Sequence, residues 1–141
     1  MLVCKSKKPN TKFNVTGTFK VDLKPVEISF EHTTSLNGGR MNIDKTFEGS
    51  IDGHSKGEMI SILNSGKNAG GYVAVEVFEG KVEGKLGSFA LQHYGKFDAS
   101  GQTLTLEVVP GSGEGELAEV IGSMNIRIEG GAHYYDFEGE I

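Results

Sequence analysis

Glu76 and His93 bring a carboxylate and an imidazole into one predicted β-hairpin, and these are the side chains here with the clearest chemical potential. The hairpin spans residues 71–98, where apolar and polar residues alternate on both sides of a glycine-containing turn. A turn centred on Gly84 and Lys85 puts Glu76 directly opposite His93. The same strand faces are otherwise apolar. We therefore predict that the two groups lie side by side on an apolar surface, as in a lined pocket.

Such a pair has the chemistry of a general acid and base, so Glu76 and His93 are the candidate catalytic residues. Burial favours the neutral form of a carboxylate and a nearby imidazolium favours the ionised form, so either member could hold a proton near neutral pH. Tyr72, His133 and Tyr135 lie on faces predicted to line the same interior and complete the predicted ligand-binding set. Two other roles remain open for the pair: orienting a bound ligand without reaction, or only fixing the strand register.

Metal and cofactor chemistry have little support in the sequence. Cys4 is the single cysteine, which excludes an intrachain disulfide and a tetracysteine zinc site. The histidines lack the close spacing of common metal motifs. We predict neither a metal nor a cofactor. The histidines are His32, His54, His93 and His133.

Length and charge limit the class of protein. A chain of 141 residues fits one domain, which we predict at 13–141 after a polar lead-in at 1–12. The net charge of −5 disfavours a nucleic-acid partner, because binding to phosphates needs a basic surface. No apolar run is long enough for a signal peptide or a membrane span, so we expect a cytoplasmic protein with no membrane partner.

Alternation of apolar and polar residues predicts strands along most of the chain. The final hairpin turns at Gly130 and Gly131, which pairs Ile128 with His133 and Met124 with Phe137. A short helical turn is expected near 116–121, with Leu117, Val120 and Ile121 closing one end of the core. Strands are predicted at 13–23, 26–32, 41–51, 56–64, in both arms of 71–98, at 104–109 and in the hairpin 123–138.

Two positions in the first half of the chain leave alternatives open. Lys45 interrupts the apolar face of its strand, so it either snorkels to solvent at a strand end, which we favour, or meets an acid. The register of the strand at 55–64 is ambiguous. We favour a register that turns Met59 inward over one that turns Ile60 inward.

The order of the strands favours one antiparallel β-barrel over a β-sandwich. Most predicted strands follow one another as hairpins, and glycines inside the strands suit tight coiling. About eight strands are enough to close a barrel and remove the exposed edges of a sheet. The predicted fold class is therefore all-β, a single antiparallel β-barrel of about eight strands.

Several segments resemble an uncharacterised bacterial family of unknown function. They are TGTFKV at 16–21, KTFEGSIDG at 45–53, SKGEM at 55–59, GYVAVE at 71–76, GSFALQHYGKFD at 87–98 and VVPGSGEGELAEVIGSM at 108–124. Members of that family are similar in fold to plant allene oxide cyclase, a small β-barrel whose apolar cavity holds an unsaturated fatty-acid epoxide and directs its ring closure without a cofactor. The resemblance implies an antiparallel barrel of the allene-oxide-cyclase-like, calycin-like type that is often homo-oligomeric. It implies no catalytic residues, because no active-site motif of the cyclase matches this chain.

The preferred function is a barrel that binds a small apolar molecule, with Glu76 and His93 orienting its polar end. A cofactor-free isomerase or cyclase is the first alternative, and a structural barrel without a ligand is the second. A homo-oligomer is expected in each case, because Val73, Val75 and Val77 point to the outside of the predicted central hairpin.

Overall fold

Most of the protein consists of long strands whose apolar side chains recur at every second position, so one face of each strand packs against a common core. The computed structural model describes residues 10–141. Cys4 lies outside the described residues. In that part of the chain no helix has the length and apolar character needed to cross a membrane. The strands are β1 (Lys12–Val26), β2 (Asn37–Gly49), β3 (Ile51–Asn64), β4 (Ala69–Val82), β5 (Lys85–Asp98), β6 (Gly101–Val108), β7 (Glu114–Gly115), β8 (Ile121–Glu129) and β9 (Ala132–Glu140).

The strands form a closed antiparallel barrel of eight members. Strands β1 to β6 follow one another around the wall, β8 and β9 continue it, and β9 pairs with β1 to close the circle. The short strand β7 adds to β5 outside this circle. The predicted all-β fold and the barrel are confirmed. In the final hairpin, Ile128 pairs with His133 and Met124 with Phe137, as predicted.

The connection between β1 and β2 differs from the prediction. The expected strand at 26–32 is wrong, because residues 27–36 form a loop. Strand β1 instead continues through Pro25 to Val26, which pairs with Arg40 of β2. In β3, Ser55 and Met59 share the inward face while Ile60 is exposed, so the favoured face of this strand is confirmed. The register behind that choice is wrong, because it assumed a turn at 52–54 that places Met59 beside Phe47. The chain turns instead between Gly49 and Ile51, so Phe47 pairs with Gly53 and Met59 pairs with Met41.

Residues 116–119 form hydrogen-bonded turns, whereas the sequence predicts a helical turn. Strand β7 ends at Gly115 and β8 begins at Ile121, so the chain between them is too short for an α-helix with its own ladder of hydrogen bonds. Leu117 and Val120 are buried as predicted, but Ile121 is exposed. The helical turn described in the structure is a 3-10 segment at Ser65–Lys67.

Aromatic side chains fill one half of the barrel. The Phe47 ring lies 5.7 Å from both Phe78 and Tyr135, and Phe89 links Phe78 at 5.0 Å to Phe137 at 5.9 Å, measured between ring centroids. Leu117 and Val120 belong to the same core cluster. The candidate site lies inside the barrel next to this aromatic layer.

Candidate functional site

Four polar side chains lie inside the barrel, one step along the strands from the aromatic layer. Lys45 precedes Phe47 on the inner face of β2, and Glu76 precedes Phe78 on β4. Lys45 pairs across the β2–β3 ladder with Ser55. We call Lys45, Ser55, Glu76 and His93 the buried polar cluster.

Gly57 of β3 lets this cluster assemble across three strands. It pairs with Glu76, and a Cβ atom at Gly57 would lie 2.6 Å from the Cα atom of Glu76. Any larger residue would therefore clash with β4. Because Gly57 has no side chain, the long side chain of Lys45 on β2 can reach past β3 to Glu76 on β4.

The central hairpin brings Glu76 and His93 together, but with a different register from the predicted one. The turn consists of Glu83 and Gly84, with φ angles of 51° and 76°, so Val82 pairs with Lys85. Glu76 consequently pairs with Leu91, two residues before His93. The predicted direct pairing was wrong. A shift of two residues keeps both side chains on the inner face, where they meet diagonally.

Three donors converge on the Glu76 carboxylate. Nε2 of His93 lies 2.6 Å and Nζ of Lys45 lies 2.8 Å from Oε2, while Oγ of Ser55 donates to Oε1 at 2.7 Å. The Glu76 side chain is 0% exposed, and those of Lys45 and His93 are 6% and 5% exposed. Nζ of Lys45 also lies 5.2 Å from the centroid of the Phe19 ring, which adds a cation–π contact.

Lys45 was favoured to snorkel to solvent, and the structure corrects that interpretation. Its ammonium group stays inside the barrel because Glu76 supplies a counter-charge there. Sequence reasoning did not include Ser55 among the site residues. A signal was present for Lys45, which interrupts an apolar face, but Ser55 carries none of that kind.

The Glu76 carboxyl stays ionised at neutral pH. Burial alone would raise its pKa, but the hydrogen bond from His93 and the charge and hydrogen bond of Lys45 lower that pKa from 4.5 to about 2. This removes Glu76 as a proton donor near neutral pH and corrects the expectation that either member holds the proton. Glu76 accepts hydrogen bonds only, so His93 presents an N–H at Nε2.

The other ring nitrogen of His93 is the group of the cluster that remains for a ligand. Among the described residues, Nδ1 has no hydrogen-bond partner. No fully buried side-chain nitrogen or oxygen in that part of the chain lacks a partner, so Nδ1 keeps some access to solvent, consistent with the 7% exposure of His93. With its proton on Nε2, a neutral His93 has a lone pair at Nδ1.

Tyr72 connects His93 to a cleft in the barrel wall. Its ring centroid lies 6.2 Å from that of His93, and burial together with the Glu76 charge raises the pKa of its phenol. Gly95 makes room for the ring, since a Cβ atom there would lie 2.8 Å from Cδ1 of Tyr72. Tyr72 also lines the cleft, so the predicted neighbourhood of Tyr72 and His93 is found in the structure.

The cleft exists because β6 and β8 separate. Within the described residues these strands are paired at Glu107 and Ser123 alone. Beyond that point the opening has a volume of about 600 Å³. Its walls combine apolar and polar side chains: Tyr72, Phe97, Leu104, Ile126 and Ile128 with Lys96, Gln102, Thr103 and Asn125.

His133 and Tyr135, also predicted to bind a ligand, lie elsewhere in the barrel. His133 stacks 5.2 Å from the Phe19 ring and lines a separate cleft of about 470 Å³. The Tyr135 hydroxyl accepts a hydrogen bond from the Ile51 N–H at 2.9 Å and donates to the Glu48 carbonyl at 3.0 Å. Burial raises the pKa of this phenol. A role for either residue in ligand binding stays a prediction.

The described residues contain no group of three or more His, Cys, Asp or Glu side chains arranged to hold a metal ion. The buried polar cluster has one carboxylate and one imidazole, and Lys45 occupies the position beside them where a cation would have to bind. The cluster therefore carries its own positive charge.

The fold and the cluster together define a closed eight-stranded barrel with a buried Lys–Glu–His network, which Tyr72 links to a cleft in the wall. The family described as "Protein of unknown function (DUF3224)" matches residues 15–138, so the chain belongs to that family. The predicted membership of an uncharacterised bacterial family is confirmed.

A solved relative has the same fold. It is a protein of unknown function of the DUF3224 family from Shewanella oneidensis MR-1, with 44% sequence identity and a TM-score of 0.87. The similarity covers 92% of this chain and 96% of that chain. No curated protein matches the sequence. The similarity to allene oxide cyclase stays a prediction.

Proposed function

We propose that the protein binds a small, largely apolar molecule in the cleft between β6 and β8, with Nδ1 of His93 receiving a polar group of that molecule. The observation that carries this proposal is the state of His93. Glu76 holds one side of the imidazole at 2.6 Å, while the other side has no partner among the described residues. Nδ1 keeps some access to solvent, so a polar group of a ligand can reach it and replace water as its partner.

The composition of the cleft supports an amphipathic ligand. Leu104 and Ile126 are partly buried against the core cluster and offer apolar contact, while Lys96 adds a positive charge at the wall. A volume of about 600 Å³ suits a small organic molecule. The separated edges of β6 and β8 also provide backbone donors and acceptors.

Binding can be tested by calorimetric titration with 8-anilinonaphthalene-1-sulfonate, whose rings suit the apolar wall and whose sulfonate suits Lys96. Leu104→Trp fills the cleft, whereas Thr105→Trp places the same side chain on the outer face of the same strand. We expect Leu104→Trp to weaken binding about tenfold, or about 1.4 kcal/mol, and Thr105→Trp to bind like the original protein. Equal binding by all three proteins would contradict the proposal.

The natural ligand can be sought by native mass spectrometry of the protein purified from its own host. We expect an additional mass of a few hundred daltons on the folded protein, and its loss from the Leu104→Trp variant. An additional mass that persists in Leu104→Trp would place the ligand outside this cleft.

Proton transfer without a cofactor is a second candidate function, and a specific observation favours it. An ionised carboxylate that fixes an imidazole, with the opposite nitrogen unpaired, is the arrangement of a general base. If the copurified molecule incorporates deuterium from heavy water only with the protein present, the protein catalyses proton exchange, and a product of different structure but the same composition would make the reaction an isomerisation. Glu76→Gln should then abolish exchange while the molecule still binds. Loss of binding and exchange together would favour a binding role alone.

We infer a cytoplasmic location. This inference is supported by the single cysteine: the chain folds without an intrachain disulfide, as proteins in a reducing compartment do. Fractionation of the host cells with an antibody against the protein would test it, and recovery in the periplasmic or secreted fraction would contradict it.

A further inference from the structure

The outer face of β4 carries a row of valines that the barrel leaves uncovered. Val73, Val75 and Val77 are 56%, 57% and 55% exposed. Their neighbours on β4, Ala74 and Glu76, point inward, so the valines form one continuous stripe along the strand. Three exposed valines at alternate positions of one strand form a contiguous apolar patch, which is typical of a contact surface.

The flanking strands extend the stripe into three rows, each with one residue from β3, β4 and β5. The first row is apolar at every position and also aromatic on one side. The second has an acid on one side and an amide on the other. The third has a cation and an alanine. In order, the rows are Ile60–Val73–Tyr94, Glu58–Val75–Gln92 and Lys56–Val77–Ala90.

We propose that this face binds the same face of a second copy of the chain, around a two-fold axis that runs parallel to β4. Such an axis keeps each row level with itself and exchanges its two sides. The valines then meet along the axis. Ile60 packs on the partner's Tyr94, Glu58 meets the partner's Gln92, and Lys56 lies over the partner's Ala90.

Complementarity of charge selects this axis over the other face-to-face arrangement. An axis perpendicular to β4 would place Glu58 on the partner's Glu58 and Ile60 on the partner's Lys56. The contact between the two Glu58 carboxylates repels, whereas the parallel axis brings no like charges together within the three rows. Glu58 is suited to the parallel axis, because Arg40 binds its Oε1 and leaves Oε2 to accept a hydrogen bond from the partner's Gln92 amide.

Glu79 follows Val77 on the same outer face and sets one end of the contact. The two copies of Glu79 come level with each other around a parallel axis. The outer walls of the two barrels are convex and twisted, so the distance between them increases away from Val75. The two Glu79 carboxylates therefore remain in water. The contact is therefore centred on Val75.

The first test is sedimentation of the full chain from micromolar to submillimolar concentration. We expect a monomer–dimer equilibrium that Val75→Lys abolishes, since two ammonium groups would meet on the axis. Ile121→Lys is the matched control, because Ile121 has a similar exposure on β8 of another wall. Circular dichroism checks that both variants fold. A monomer at every concentration, or equal dimerisation of Val75→Lys and the original protein, would overturn the proposal.

The second test determines the axis. In a Cys4→Ser background, Ile60→Cys and Tyr94→Cys variants are prepared separately and treated with a short bismaleimide. We expect efficient cross-linking when the two variants are mixed and little with either alone, because Ile60 faces the partner's Tyr94. Cross-linking of each variant with itself as efficient as in the mixture would show a different axis and overturn the arrangement.

Discussion

Glu76 is buried, so side chains of the protein must supply both the counter-charge and the hydrogen bonds that its carboxylate needs. Lys45 supplies a positive charge, Ser55 a neutral donor and His93 a ring N–H. Since Lys45 already balances the carboxylate, the cluster does not need a protonated His93 to be neutral. Under the proposed function, a ligand bound at Nδ1 of His93 therefore leaves Glu76 ionised.

Replacing Glu76 by Gln should be strongly destabilising. The amide keeps the shape but leaves Lys45 buried with no counter-charge, which typically costs about 3–5 kcal/mol. Urea unfolding monitored by circular dichroism measures the loss. Asp136→Asn is the control, because it removes a carboxylate from a partly exposed pair with Arg127, and we expect it to cost less than about 1 kcal/mol. Similar losses in the two variants would mean that the buried pair contributes little.

The stability of the protein should fall in acid through Glu76. Its pKa is about 2 in the folded protein and 4.5 in its ordinary state, so the unfolded chain takes up the proton first as the pH falls. The contribution is complete above about pH 4.5, is lost between there and about pH 2, and amounts to about 3 kcal/mol. Urea unfolding across this range should show a shallower fall for Glu76→Gln than for the original protein. Equal slopes would contradict the assignment.

Sequence patterning identified half of the buried polar cluster. Alternation places Glu76 and His93 on one face, and an error of two residues in register preserves that face. The alternation of apolar and polar residues does not show which layer of the barrel a residue occupies. Lys45 and Glu76 lie on strands that are not neighbours, and their contact depends on the stagger of β2, β3 and β4 and on the absence of a side chain at Gly57.

At the level of the elements, turns with a glycine pair were easier to predict than the turn at Glu83. Gly130 and Gly131 both adopt positive φ angles, and the last hairpin has the predicted register. In the central hairpin a glutamate adopts φ 51°, which few residues with a side chain do. Sequence alone therefore placed that turn one residue too late along the chain.

The opening between β6 and β8 should be the most dynamic part of the wall. Paired at a single position within the described chain, these strands leave backbone groups around Leu104 and Ile126 outside a ladder. Hydrogen–deuterium exchange followed by NMR should show fast exchange for the amides of β6 and β8 that face the cleft. The amides of β4 that pair with β5 from Gly70 to Val82 should exchange much more slowly.

The same hydrogen–deuterium exchange measurement, repeated with a ligand, also tests the proposed binding site. If the cleft is the binding site, 8-anilinonaphthalene-1-sulfonate should slow exchange at Leu104 and Ile126 and leave the β4–β5 ladder unchanged. If the amides at the cleft exchanged as slowly as those of β4 in the ligand-free protein, the interpretation of β6 and β8 as separated strands would be contradicted.

The interior of the barrel combines an aromatic layer with a buried polar layer, and a cleft opens in the wall between β6 and β8. The aromatic layer around Phe47 and Tyr135 has the packing expected of a structural role, and the cleft beyond the buried polar cluster has the features expected of binding. Alternation predicted the barrel because nearly every strand has one buried face, but it cannot tell how the interior is divided.

The aromatic layer and the buried polar layer should unfold together, because the same strands run through both. Strand β2 carries Lys45 and Phe47, and β5 carries Phe89 and His93, so neither layer can separate without breaking ladders of the other. We expect NMR signals from Phe89 and His93 to disappear at one urea concentration, with Glu76→Gln lowering both midpoints equally. If His93 signals were lost while Phe89 stayed native, the aromatic layer would be a separate folding unit, and the prediction of one domain at 13–141 would need revision.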